Sequence, residues 1–218
     1  MLVLALDTSS PAVSAALVEV AADEQQTVRE SVAIDGRRHG ELLAVGVREV
    51  LGSVRASELG AIVTGTGPGP FTGLRVSLVT AAAMADALGL PAYGVCSLDA
   101  IGSGPRVVVA DARRREVYWA RYGQAREDGP EVEKPAELAE RLRAMARPPL
   151  VVGAGAWLHL DVFDGLTVVD DDRYPSTPAL VRLAAARLLA AAESDPLTPL
   201  YLRRPDAVPQ GAVKKVTA

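Results

Sequence analysis

Thr64-Gly-Thr-Gly-Pro-Gly-Pro-Phe-Thr-Gly-Leu-Arg-Val-Ser77 is the stretch on which the reading of this chain turns. Four glycines and two prolines fall within the ten residues from Thr64 to Gly73, and a helical run over 74–88 follows without a break. Ala61-Ile-Val63 before it reads as the end of a short buried strand. A strand, a stiff glycine-proline turn and a helix N-terminus are the layout that nucleotide-binding folds use against phosphate. The spacing is neither a P-loop, since no Gly-Lys-Ser/Thr follows, nor the dinucleotide fingerprint. A tight connection that lets strand and helix pack closely accounts for it equally well. Thr72 is the expected N-cap of the helix and Gly89 its expected stop.

Working outward, composition narrows the class. A chain of 218 residues has ample length for a core, and 49% of it is apolar while only 4% is aromatic. Ala, Val and Leu must therefore build the interior, which suits α/β layers. A net charge of −4 and a pI near 5.3 argue against a stand-alone nucleic-acid binder, which depends on clustered Lys and Arg. The lone Cys96 rules out an internal disulfide and reads as a small buried hydrophobe in a reducing compartment. Met1-Leu-Val-Leu-Ala-Leu6 meets Asp7 too early for a signal peptide, so a cytoplasmic protein without a membrane span is expected.

The same design occurs twice. Leu2-Val-Leu-Ala-Leu6 leads into Asp7-Thr-Ser-Ser-Pro11 and returns as a strand over 12–18, with Val13, Ala15 and Leu17 on one face. About a hundred residues later, Arg106-Val-Val-Val-Ala110 leads into Asp111-Ala-Arg-Arg-Arg115, and 116–122 alternates as the returning strand. Asp suits both turns because its side chain satisfies nearby backbone amides. Two repeats imply two related lobes facing each other across a cleft. Residues 1–104 form the expected N-terminal lobe and 105–218 the C-terminal lobe, joined near Gly102-Ser-Gly-Pro105, with a loose tail over 211–218. A third strand is expected over 27–34, and short strands over 150–153 and 166–169. Helices are expected over 39–51, 74–88, 135–146 and 177–192, the last capped by Thr177 with Pro178 following.

Three segments together resemble one family. Ala5-Leu-Asp-Thr-Ser-Ser10, Gly67-Pro-Gly-Pro-Phe-Thr-Gly-Leu-Arg75 and Pro199-Leu-Tyr-Leu-Arg203 are similar to the TsaB (YeaZ-like) proteins, and Asp111-Ala-Arg-Arg with Glu116-Val-Tyr118 extends the match into the second half. Pro70 departs from the small polar residue, usually serine, expected there. The resemblance implies an actin-like fold of the sugar kinase and Hsp70 type, built from two ribonuclease H-like lobes. It further implies a non-catalytic subunit of the bacterial complex that forms threonylcarbamoyl-adenosine in tRNA. The implied partners are a TsaD-type transferase, a TsaE-type ATPase through the complex, tRNA only via the complex, and a possible homodimer.

The residues agree with a degenerate active centre and no cofactor. After Asp7 come Thr8, Ser9 and Ser10, with no glycine at the crossing, so Asp7, Thr8 and Ser9 mark only a vestigial phosphate edge. After Asp111, Arg113 to Arg115 would crowd a magnesium–phosphate group. Gly153-Ala-Gly-Ala156 could border an adenine or be a plain loop. The two histidines, His39 and His159, lack the four-residue spacing of a helical metal pair, and no Gly-x-Ser-x-Gly elbow supports a peptidase. A stand-alone kinase or glycoprotease-like peptidase of the same fold is the alternative. Association remains: Leu42, Val45, Leu74, Leu78 and Ala82, on helices with small residues for close crossing, are the expected interface. Arg203, Arg204, Lys214 and Lys215 are expected to add a modest basic contribution for tRNA.

Overall fold

Continuous apolar runs at the start of each half become central strands buried on both faces. The computed structural model describes residues 1–22, 24–170 and 172–203; Arg204, Lys214, Lys215 and the expected tail over 211–218 lie outside them. In the first sheet, β1 (Leu2–Asp7), β2 (Ala12–Val20) and β3 (Gln25–Ile34) form an antiparallel meander, and β4 (Leu59–Gly65) and β5 (Ala92–Val95) add in parallel, in the order β3-β2-β1-β4-β5. The second sheet repeats this with β6 (Arg106–Asp111), β7 (Val117–Tyr122), β8 (Arg126–Glu133), β9 (Val151–Val152) and β10 (Val168–Val169), in the order β8-β7-β6-β9-β10.

Alternate residues of β1 serve two cores. Leu4 and Leu6 face α1 (His39–Leu51) and α2 (Phe71–Leu88), joined by Val13, Ala15 and Leu17 of β2. Val3 and Ala5 face the opposite way, onto Leu180, Val181, Ala184 and Leu188 of α5 (Thr177–Leu189). This corrects the expected extent of the second lobe. The last helix of the second half crosses back to close the first sheet, a long-range choice that no local pattern encodes. Its cap is Ser176, whose hydroxyl accepts from the Ala179 N–H at 3.3 Å, one residue before the expected Thr177.

The second sheet is covered on one face by α3 (Pro135–Arg143) and α4 (Ala154–Leu158), around Trp119, Leu138 and Phe163. Its other face packs on Cys96, Leu98 and Ile101 from the connection between the lobes and on Leu200 and Leu202. Cys96 is thus a core residue, and burial pushes its thiol up to about 12. β8 has no counterpart in the sequence reading: Arg126-Glu-Asp-Gly-Pro-Glu-Val-Glu133 is an edge strand with little apolar content.

Candidate functional site

The glycine-proline loop seals the first hairpin. Thr64 and Gly65 end β4 beside β1, and a Cβ placed on Gly65 would fall 1.8 Å from Asp7 Oδ2 and 2.4 Å from Ser97 Oγ. At Gly69 a Cβ would meet the Ser9 carbonyl oxygen at 2.2 Å. Only glycine permits so close a backbone approach. The helix begins at Phe71 with Pro70 as its N-cap, so Thr72 is an exposed first-turn residue and not the cap, whereas Gly89 ends it in the left-handed conformation as expected.

Asp7, Thr8 and Ser9 come together here and are fully used. Asp7 Oδ1 accepts from the Ser9 N–H (2.8 Å) and hydroxyl (2.7 Å), and Oδ2 accepts from the Ser97 hydroxyl (2.6 Å). Burial raises the Asp7 carboxyl above its ordinary value, against the hydrogen bonds from Ser97 and Ser9 that favour the ionised form. The Thr8 hydroxyl donates to the Gly73 carbonyl (2.7 Å) and accepts from the Ser77 N–H (2.9 Å). It bridges two groups that an uninterrupted helix would pair with each other. His39, at the start of α1, has Nε2 2.9 Å from the Ser10 carbonyl oxygen, which requires that nitrogen to be the protonated one.

The second hairpin is built on the same turn but left open. Asp111 Oδ1 accepts from the Arg113 N–H at 2.8 Å, as Asp7 does from Ser9, while its Oδ2 lies 3.4 Å from the Arg113 guanidinium. Arg113, Arg114 and Arg115 all take positive φ, at 62°, 54° and 60°, and the Glu116 N–H donates to the Arg113 carbonyl at 3.0 Å. Arg114 and Arg115 are thus the central pair of a primed turn, where Asn and Gly are preferred. Each non-glycine residue in this region costs about 1–2 kcal/mol. Between the hairpins lies a cavity of about 190 Å³ lined by Ser9, Ser10 and Pro11 from the first hairpin, Asp111 and Arg113 from the second and Pro68 from the loop. In the Gly153-Ala-Gly-Ala156 stretch, a Cβ on Gly155 would strike the Ala110 backbone at 2.7 Å, while Ala154 lies on the cavity wall. Among the described residues, no group of three or more His, Cys, Asp or Glu side chains is arranged to hold a metal ion.

The expected interface residues divide. Leu74 and Leu78 are buried at 0% and 4% exposure, facing the sheet, and cannot lie on a surface. Leu42 is partly buried against the same core. Val45 on α1 and Val79 and Ala82 on α2 are exposed, Val79 at 63%. The error is one of helix phase: α2 is apolar nearly all round, so its pattern does not single out an inner stripe. Sequence reasoning also missed a cluster at the start of α2. The Arg75 guanidinium sits 3.9 Å from the Phe71 ring centroid, its Nε donates to the Tyr201 hydroxyl at 2.8 Å, and the two rings stack at 5.2 Å. Arg75 and Tyr201 stand 126 residues apart, so nothing local signals the contact.

Comparison with known proteins bears on these features. The family model of TsaD, tRNA N6-adenosine threonylcarbamoyltransferase, matches residues 27–147. An uncharacterized protein of Mycobacterium tuberculosis is 45% identical over 95% of this chain and 94% of its own length. The tRNA threonylcarbamoyladenosine biosynthesis protein TsaB of Escherichia coli is 32% identical over 79% of this chain and 80% of its own. Among solved structures, a Pseudomonas aeruginosa protein described as similar to peptidase YeaZ superposes with a TM-score of 0.76 at 28% identity, covering 93% of this chain and 99% of that one. YeaZ from the same organism gives 0.73 at 26% identity, covering 92% and 99%. The two-lobed architecture is that of the actin-like fold.

Proposed function

The chain belongs to the TsaB family, and from that membership we propose that it is a non-catalytic subunit in the formation of threonylcarbamoyl-adenosine in tRNA, working in the cytoplasm as the partner of a TsaD-type transferase. The observation that carries the reading is the spent first hairpin. An enzyme of this fold turns that edge toward its substrate, whereas Asp7, Thr8 and Ser9 here give their side-chain groups to Ser97, to each other and to α2. A peptidase finds no support in the same residues. The Ser9 hydroxyl donates to Asp7 without an intervening base, and His39 is committed to a backbone carbonyl.

What is left to the molecule is its surface. Val45 on α1 and Val79 and Ala82 on α2 are exposed small apolar side chains on two helices in contact with each other, on which helices of a partner can lie. Phe71, Arg75 and Tyr201 at one end supply the aromatic and arginine anchors typical of contact hot spots. A TsaD-type subunit is the proposed occupant, with self-association through the same face as the competing state. A TsaE-type ATPase and tRNA join through the complex. The test is co-purification with a TsaD-type protein and tRNA modification with each component omitted in turn, using Val79→Glu as the probe. That variant should melt like the parent, lose the mass of the complex by light scattering and lose modification. An unchanged complex mass would show the face to be wrong, and turnover by this chain alone would refute the non-catalytic reading.

A further inference from the structure

We infer that α2 pairs antiparallel with α2 of a second copy of this chain, Arg75 of each copy held against Asp86 of the other, an inference that rests on the face proposed above and not on the reaction assigned to the complex. Of the 18 residues of α2, the buried ones are Gly73, Leu74, Ser77, Leu78, Ala81 and Ala85. Phe71, Arg75, Val79, Ala82 and Asp86 are exposed. They follow one another at spacings of four, four, three and four residues. At about 100° per residue, that places all five within an arc of roughly 80°. The stripe is aromatic and cationic at one end, small and apolar in the middle, and anionic at the other.

Among the described residues no ion pair answers either charge. Arg75 stacks on Phe71 and donates from Nε to the Tyr201 hydroxyl, contacts that hold the side chain in place without neutralising it. Asp86 has no side-chain hydrogen bond or salt bridge among the described residues. Both charges also oppose the helix dipole. Arg75 lies one turn inside the positive N-terminal end, and Asp86 lies in the last turn, beside the negative C-terminal carbonyls, with no basic residue in that turn. A partner that brings a carboxylate to Arg75 and a guanidinium to Asp86 relieves both.

The register of the stripe says what that partner is. Arg75 and Asp86 are equidistant from a point between Thr80 and Ala81, and so are Val79 and Ala82. A two-fold axis through that point sets arginine opposite aspartate at both ends and Val79 opposite Ala82 between them, the self-complementarity that an isologous contact requires. In antiparallel order each arginine also reaches the negative end of the facing helix, and each aspartate the positive end. The small Val79 and Ala82 let the helices approach closely. Beside Asp86 an open groove lined by Ala82, Ala85, Gly89, Leu90 and Leu197 leaves room for a long side chain. A parallel pair would instead set like charges together at both ends. The antiparallel pair is the self-associated state that competes with a TsaD-type subunit.

Exchanging the charges tests the register on the full-length chain. By sedimentation or light scattering the parent should be a dimer that weakens with added salt. Arg75→Glu and Asp86→Arg each set like charges together at both ends. Each should keep the circular dichroism spectrum of the parent and raise the dimer dissociation constant about tenfold or more. Mixed in equal amounts, the two variants should recover the parent's affinity as a heterodimer. The new glutamate of one copy then faces the new arginine of the other, while the native Asp86 and Arg75 face each other as before. A merely structural effect of either substitution gives no such recovery. Single variants that dimerise as the parent does, or a mixture that stays monomeric, overturn the inference. A parent that stays monomeric at its highest soluble concentration yet binds a TsaD-type subunit overturns it too, and leaves the functional reading standing. Recovery in the mixture supports the pairing even if tRNA modification proceeds without this chain, a result that sinks the functional reading alone.

Discussion

The two hairpins share one backbone device and use it in opposite ways. Asp7 and Asp111 each accept the N–H of the residue two positions on, both at 2.8 Å, at the same point of the same strand order. In the first lobe the loop after β4 closes over the turn, and the hydroxyls there face inward as structural hydrogen-bond partners. In the second, β9 is followed by the five-residue α4, the aspartate faces a cavity, and the turn carries exposed arginines under strain. The first hairpin is a joint within the fold and the second leaves its turn exposed, while both border the cavity between them.

The largest test of this contrast is at the joint. Gly69→Ala forces a methyl group into the Ser9 carbonyl, and with backbone on both sides neither element can yield cheaply. A loss of about 3 kcal/mol or more is expected, seen as a melting temperature lower by about 6–12 °C. An unchanged melting temperature would mean that loop and hairpin are not locked together, and that the phosphate edge is open after all.

The sequence carried the layout well where the signal is local. The two Asp-led hairpins, the span of α1 and the left-handed stop at Gly89 all depend on residues within a few positions of one another. Three features were not legible, each for a physical reason. β8 carries charge on most of its residues because it is an edge with one solvated side. The return of α5 to the first sheet is decided by which face lacks a cover, a property of the assembled fold. The phase of α2 fails because Leu74, Leu78 and Val79 are equally apolar in sequence, although the first two are buried and the third is not. At the site, the sequence located Asp7, Thr8 and Ser9 but gave no sign that Ser97, 90 residues from Asp7, would take the second carboxylate oxygen.

A smaller effect follows from Thr8, whose counterpart in the second hairpin is Ala112. Thr8→Val keeps the shape and removes the hydroxyl between the Gly73 carbonyl and the Ser77 N–H. Both groups are buried, so about 1–2 kcal/mol should be lost, or about 2–8 °C in melting temperature. Amide exchange at Ser77 should speed up more than at neighbouring helical positions. Equal exchange across the first turns of α2 would mean that the helix closes its own bond there, and that Thr8 contributes nothing the second lobe lacks.

The finest test is the pH dependence of Asp7. Its folded carboxyl is raised above the ordinary 3.8 by burial, with the Ser97 and Ser9 hydrogen bonds only partly offsetting this. Below 3.8 the group is neutral in folded and unfolded chains alike and has no pH-dependent effect. As pH rises past that value the unfolded chain ionises first, so stability drains away until the folded group ionises too. Asp7→Asn cannot ionise and should escape this loss. The melting temperature of the variant, measured relative to the parent, should therefore climb from pH 3 toward neutrality and then level off. A difference that falls over the same range would mean that the three hydrogen bonds outweigh burial, leaving the first aspartate a stabilised anion and its turn closer to a working phosphate edge than to a joint.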